Sequence, residues 1–291
     1  MKLGLIGLGH LGAPIAENLL KNTKQLYVFN RTAGKAQTLV EKGAVLCKSI
    51  KELTSICDIV FSIVSDDAAL KQITTGDEGI AANLKAGGIH VSVSTILPVT
   101  AKELSALHQH HNNYYLASPV MGRPEAVRAR KLNFLVSGDK HAIDIAKPLL
   151  QQSGASAIWE FGNEVEAAHV AKLCSNFLVI SSIEAIAEGI HLAKKSGIDA
   201  TKWINMLTQT LFNAPVYINY SNILLKEAYQ PPGFSLRLGL KDINLVLAQA
   251  SATKQQMPLA SLLQENMQRL VSAGKDQIDW SAVSTANVKQ M

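Results

Sequence analysis

The chain has 291 residues, enough for two ordinary domains. Apolar residues make up 47% and charged residues 18%, a globular balance that excludes a disordered chain. The formal charge is +5, yet the basic residues are scattered without an arginine-rich or aromatic-interleaved stretch, so no nucleic-acid partner is expected. A phosphate-bearing cofactor or a small anionic substrate accounts for the mild positive bias. Cys47, Cys57 and Cys174 lack CxxC spacing and point neither to disulfides nor to zinc. The opening MKLGLIGLG is too short and glycine-broken for a signal peptide, and no uninterrupted apolar run of about 18 residues marks a membrane span. A cytoplasmic protein is expected.

The first half alternates short apolar runs with helical patterns, as a parallel sheet with crossover helices does. Lys2 to Leu8 reads as a strand and Ala13 to Lys21 as a helix, with Ile15, Ala16, Leu19 and Leu20 on one face. Strands are expected over Gln25 to Phe29, Val45 to Cys47, Ile59 to Val64, Gly88 to Val93, Tyr115 to Ala117 and Phe134 to Ser137, with a helix over Lys35 to Lys42. The polar run His108 to Asn113 reads as a solvated loop. A metal reading of His108, His110 and His111 has no carboxylate or cysteine at ligand spacing, and no metal is expected. After about Trp159 strand-like runs stop. Amphipathic helical segments take over at Val165 to Lys195, Thr201 to Leu211, Leu236 to Lys254 and Leu259 to Ala273. The pattern predicts an α/β doubly wound Rossmann-type domain over residues 1–161 and an all-α domain over 162–291.

Gly7, Gly9 and Gly12 form GLGHLG directly after a strand and before a helix, with Leu8, His10 and Leu11 completing the loop. Alone, GxGxxG is common by chance; at the start of a βαβ unit it marks a dinucleotide site. The first glycine permits the tight turn, the second lets backbone approach a pyrophosphate, and the third allows close helix packing. The pyrophosphate then rests on the free N–H groups and positive end of the helix. An NAD-preferring site places a carboxylate at the end of the second strand. Here Asn30, Arg31 and Thr32 stand there instead. A guanidinium suits a 2′-phosphate, so NADP(H) is the expected cofactor.

On these residues the chain resembles the beta-hydroxyacid dehydrogenase family, over essentially its whole length. GLGHLGAPIAENLLKN is similar to that family's GLGxMGxxMAxNLxKxG, with Leu11 and Ile15 at the methionine positions. Val64, Ser65, Asp66 and Asp67 resemble its loop on the adenosine and ribose side, and Ser94-Thr95 before Pro98 its S-T-x-x-P turn. The resemblance implies that Thr95 approaches the nicotinamide end and that Ser94 contributes to the substrate side. Lys172 and Asn176 match K-x-x-x-N, an i, i+4 pair on one helical face. The resemblance makes the lysine the general acid/base and the asparagine a substrate ligand. Gly233-Phe234-Ser235 and Leu240-Lys241-Asp242 resemble its F-x-x-x-x-x-x-K-D segment, which would bring Lys241 near the nicotinamide. It also implies a homodimer or homotetramer through the helical domain.

The implied reaction moves a hydride between nicotinamide and the carbonyl of a small aldehyde acid or β-hydroxy acid, with a proton donor in reach of the oxygen. His169 and Glu166 lie close enough in sequence to tune Lys172, although a helix-surface position needs no function. One departure concerns the substrate. Where the family reads D-A-P-V-S-G-G, this chain reads Ala117-Ser118-Pro119-Val120-Met121-Gly122-Arg123. Met121 replaces a serine, and a thioether cannot reproduce a hydroxyl's hydrogen bond. Arg123 either binds a carboxylate or caps the loop at the surface. The family's G-x-G before the lysine helix is replaced by Glu166-Ala167-Ala168. An imine or ketone reductase on the same fold and a non-catalytic NADPH-binding protein are the alternatives, and the Lys172–Asn176 pair argues against both.

Overall fold

The computed structural model describes residues 1–23 and 25–287. The chain divides into two compact units, Met1–Lys172 and a second from Leu173 onward; the expected second domain begins at 162 and its last residues, 288–291, lie outside the described ones.

The first unit is built on a six-stranded parallel sheet. Its strands are β1 (Leu3–Ile6), β2 (Leu26–Phe29), β3 (Val45–Leu46), β4 (Ile59–Ser62), β5 (Ile89–Ser92) and β6 (Tyr114–Ala117), in the order β3-β2-β1-β4-β5-β6. All four residues of β1, β4 and β5 are buried, because helices cover both faces of such a sheet. The intervening helices are α1 (Gly12–Leu20), α2 (Gln37–Glu41), α3 (Ile50–Ile56), α4 (Asp67–Thr74), α5 (Ile80–Asn83) and α6 (Pro98–His110). The helix expected over Lys35–Lys42 starts as a 3-10 turn, Ala33–Ala36, before α2. Strand order reverses between β1 and β4, where the carboxyl ends of neighbouring strands leave a crevice in this class of sheet.

A smaller sheet follows. Strand β7 (Val120–Met121) pairs antiparallel with β8 (Leu132–Val136), which pairs parallel with β9 (Ala155–Glu160); α7 (Pro124–Arg128) and α8 (Lys140–Ser153) connect them. The sequence pattern does not announce β9. It is an edge strand without a fully buried residue, and Trp159 lies exposed with its indole N–H on Asn133 Oδ1 at 3.0 Å.

The polar run at residues 108–113 is not a solvated loop. His108 belongs to α6 and is completely buried, and so is His90 of β5. Ser62 Oγ, His90 Nε2, His90 Nδ1 and His108 Nε2 form contacts of 2.7 and 3.0 Å in series, and His108 Nδ1 meets Asn113 Oδ1. Asn113 Nδ2 donates to the carbonyls of Ala81 and Leu84 at 3.0 and 2.9 Å, so its oxygen faces His108. The direction of the whole chain follows from that amide. His108 carries its proton on Nδ1, His90 carries its own on Nδ1, and Ser62 donates to His90 Nε2. Desolvation, then the neighbouring imidazole, holds His90 well below the usual histidine range; burial pulls His108 down to about 4.

The second unit is helical, with α9 (Ala167–Lys195, begun in the first unit), α10 (Ala200–Gln209), α11 (Pro215–Lys226), α12 (Leu236–Ala252) and α13 (Pro258–Ser272), closed by a 3-10 segment at Trp280–Asn287. Helix α11 was not expected, since Asn219, Ser221 and Asn222 interrupt its apolar repeat. Among the described residues α9 alone has the length and apolarity of a membrane-crossing helix, and 44% of its apolar window is buried. Trp280 anchors this core, donating to Tyr220 Oη at 2.9 Å and packing edge-on against Phe234. Asp279, beside it, accepts from the N–H groups of Gly233, Phe234 and Ser281 and from Ser281 Oγ, at 3.0, 3.2, 3.0 and 2.6 Å.

Candidate active site

The glycine turn joins β1 to α1. Gly7 has φ +98°, and a Cβ there would lie 2.1 Å from the carbonyl oxygen of Ile63; a Cβ on buried Gly12 would lie 1.9 Å from the carbonyl oxygen of Gly7. No side chain fits at either position. Gly9 differs, being exposed with nothing within 4 Å of where a Cβ would stand, so the space above the turn is open. No acidic residue occupies the first turn of α1 and no side chain caps it. The helix therefore offers its N–H groups and positive end to an anion, which fits a dinucleotide pyrophosphate. Leu8 is buried, whereas His10 and the half-buried Leu11 border the turn.

Side chains from neighbouring strand ends brace this turn. Asn30 accepts from the Leu8 N–H at 2.8 Å and donates to the Thr32 carbonyl at 2.8 Å, so it couples the glycine turn to the loop after β2. Arg31 and Thr32 are exposed on that loop. After β4, the Val64 N–H donates to Ser94 Oγ at 2.9 Å, tying the loops after β4 and β5 together; Thr95 follows half-buried. Asp66 caps α4 through Ala69 N–H and accepts from Ser65 Oγ at 2.7 Å. The next carboxylate, Asp67, accepts from the Leu97 N–H at 3.0 Å. Ser94 and Asp66 thus hold the loops in place.

Lys172 lies on α9, only 8% exposed, and its Nζ is 3.3 Å from the sulfur of Met121 at the end of β7. A thioether is a weak, uncharged acceptor for this ammonium. Gly122 follows with φ +145°, and half-buried Arg123 caps α7 through its backbone. Glu166, read as a tuner of the lysine, pairs with Lys102 at 3.3 Å, and His169 is fully buried.

One turn along α9, in the second unit, Asn176 is 6% exposed and its Nδ2 donates to Asp242 Oδ2 at 2.6 Å. Lys241 Nζ lies 2.8 Å from the other oxygen of Asp242. Asp242 is the residue that sequence reasoning left out. It orients the Asn176 amide by accepting its N–H, and its only sequence signal is its place directly after Lys241. Burial pushes the Cys47 and Cys57 thiols up to about 11 and about 12, so neither is a nucleophile near neutrality. Among the described residues no three His, Cys, Asp or Glu side chains cluster as a metal site.

Residues 2–162 match the NAD binding domain of 6-phosphogluconate dehydrogenase, and residues 167–286 match the NAD-binding domain of NADP-dependent 3-hydroxyisobutyrate dehydrogenase. The chain belongs to the beta-hydroxyacid dehydrogenase family. It is an NAD(P)-dependent oxidoreductase of hydroxy acids with a Rossmann-type domain followed by a helical one. An uncharacterised oxidoreductase of Bacillus subtilis is 36% identical over 97% of this chain and 98% of its own length. The chloroplastic glyoxylate/succinic semialdehyde reductase 2 of Arabidopsis thaliana is 31% identical over 98% of this chain and 79% of its own. The structure of Mycobacterium tuberculosis 3-hydroxyisobutyrate dehydrogenase with L-serine is 26% identical, covers 99% of both chains and has a TM-score of 0.89.

Proposed function

We propose that this dehydrogenase uses NADPH to reduce a short aldehyde acid to its β-hydroxy acid, with Lys172 supplying the proton. The observation that carries this reading is the burial of the Lys172 ammonium beside a thioether, in the same unit as the open glycine turn. When bound, the nicotinamide supplies the hydride that reaches the carbonyl carbon. Lys172 gives its proton to the carbonyl oxygen as charge develops there, which completes the alcohol; in the reverse direction its neutral amine takes that proton back. Asn176, oriented by Asp242, hydrogen-bonds the same oxygen or a neighbouring group, and Lys241, paired with Asp242, is assigned to the cofactor by its place in the K-D segment that resembles the family's. Arg31 selects NADPH by pairing with the 2′-phosphate, Asn30 and Thr32 shaping its loop. Gly122 and Arg123 complete the substrate loop, with Arg123 drawing in an anionic group. The chain works in the cytoplasm as a homodimer or homotetramer, a reading supported by large exposed apolar side chains on the helical unit, including Leu192 and Leu211 at 70% and 84% exposure.

The test is Lys172→Ala. Turnover is expected to fall by about 10³-fold, within the range for a lost general acid, while the NADPH dissociation constant changes less than about twofold. Unchanged turnover would move the proton donor elsewhere. In parallel, Arg31→Ala should reduce the NADPH-over-NADH binding preference by roughly tenfold or more, the scale of a charge-assisted hydrogen bond.

A further inference from the structure

Helix α7 has five residues, well short of the roughly 12 at which a helix begins to hold on its own, so its place is set by what it is fastened to. One fastening comes from α1. Asn18 stands there, 6% exposed, and its Nδ2 donates to the Val127 carbonyl in α7 and to the Ser153 carbonyl at the end of α8, both at 3.1 Å. These two acceptors use both hydrogens of the amide. Gly154 leaves the room for it: a Cβ there would lie 3.0 Å from that nitrogen and 3.2 Å from the Val127 oxygen, and its φ is +121°. The Val127 side chain is fully buried in the core as well, but apolar burial has no direction, and the hydrogen bonds do. At its other end α7 continues into Gly122 and Arg123. Arg123 is the N-cap residue of the helix, and a Cβ on Gly122 would lie 3.1 Å from the Cβ of Ala126. The backbone at Gly122 thus rests on α7, while Asn18 ties α7 to the helix whose first turn is open to an anion.

The geometry points to Asn18 as a positioning residue of the substrate loop, one that sets where Gly122 and Arg123 stand without touching substrate. This rests on Gly122 and Arg123 being that loop. Without the amide, packing alone places α7, and the short helix is free to turn about its buried Val127. A displacement of about 1 Å in a group that holds substrate costs up to about 100-fold. The cofactor turn does not share the effect, because Gly7 and Gly12 are fixed by their own backbone contacts, about 9 Å along α1 from Asn18 in the case of Gly12.

The experiment compares the wild type with Asn18→Ala and with Asn18→Ser, whose hydroxyl can still donate to one of the two carbonyls. With NADPH saturating and 3-oxopropanoate or 4-oxobutanoate as substrate, Asn18→Ala should raise KM by about tenfold or more while kcat falls less and the NADPH dissociation constant changes less than about twofold. Asn18→Ser should give a smaller rise in KM. A second readout needs no turnover: in the NADPH-bound protein, amide exchange over residues 122–131 should quicken at least about tenfold in Asn18→Ala, with β1 and β4 unchanged. Unchanged exchange over 122–131, or NADPH affinity that falls in step with KM, overturns the proposal and leaves the substrate loop as read. Faster exchange with an unchanged KM shows that this loop does not hold substrate, and removes that reading and the proposal together, as does turnover of neither substrate by an NADPH-binding wild type. If neither variant folds, Asn18 serves the fold rather than the loop, and the proposal is overturned.

Discussion

Helices α1 and α12 are each entered through a tight turn, and the two turns are held by opposite means. The turn before α1 is shaped by missing side chains: Gly7 and Gly12 stand where a Cβ would strike backbone oxygens. The turn before α12, at Gly233 to Ser235, is held by a carboxylate from far along the chain, with Asp279 accepting two of its N–H groups. The first device is local and free of charge, which leaves the positive helix end open to an anion. The second brings its own anion, satisfies the turn internally and fixes the helix that carries Lys241 and Asp242. A ligand-binding turn and a structural turn thus differ in whether their donors are already used.

Substitutions can break this contrast, and the largest effect is expected at Gly12. Gly12→Ala places a methyl group 1.9 Å from a backbone oxygen, so it should cost more than about 4 kcal/mol and leave the first unit unfolded in a urea titration. Asp279→Ala strands one buried and two part-buried N–H donors and should cost about 3 kcal/mol, with faster amide exchange confined to the start of α12 and the segment around Ser281. Acid should act on the first unit through His90 and His108. Both are held neutral when folded, so the unfolded chain takes up protons first as pH falls below about 6.5, and stability declines until the folded pKa is reached, about 4 for His108. His108 alone should account for roughly 3 kcal/mol across that window, read from urea midpoints at a series of pH values. Gly9→Ala sharpens the comparison from the other side. It meets nothing in the protein and should change stability by less than about 0.5 kcal/mol, while NADPH affinity falls at least tenfold by fluorescence titration. Normal affinity would show that the space above the turn is not where the pyrophosphate rests.

The same contrast explains how much was legible in the sequence. The parallel sheet, the glycine turn and the long lysine helix are local patterns, and their expected residues agree with the observed elements to within a few positions. What was missed depends on partners distant in sequence. Asp242 gains its role from Asn176, 66 residues away, and Asp279 from a turn 45 and 46 residues earlier. The polar look of His108 to Asn113 misled for the same reason. His108 is buried because His90 and Asn113 satisfy both ring nitrogens, and His90 lies 18 residues before it in another element. Strand β9 and helix α11 escaped because neither carries the regular apolar repeat of its class.

The fixed polarity of the Ser62–His90–His108–Asn113 chain has a kinetic corollary. With every lone pair and proton already assigned, neither imidazole can relay a proton while the three links of the chain hold. Isotope-labelled imidazole resonances should therefore stay in one neutral tautomer from neutral pH down to the approach of the His108 pKa, about 4.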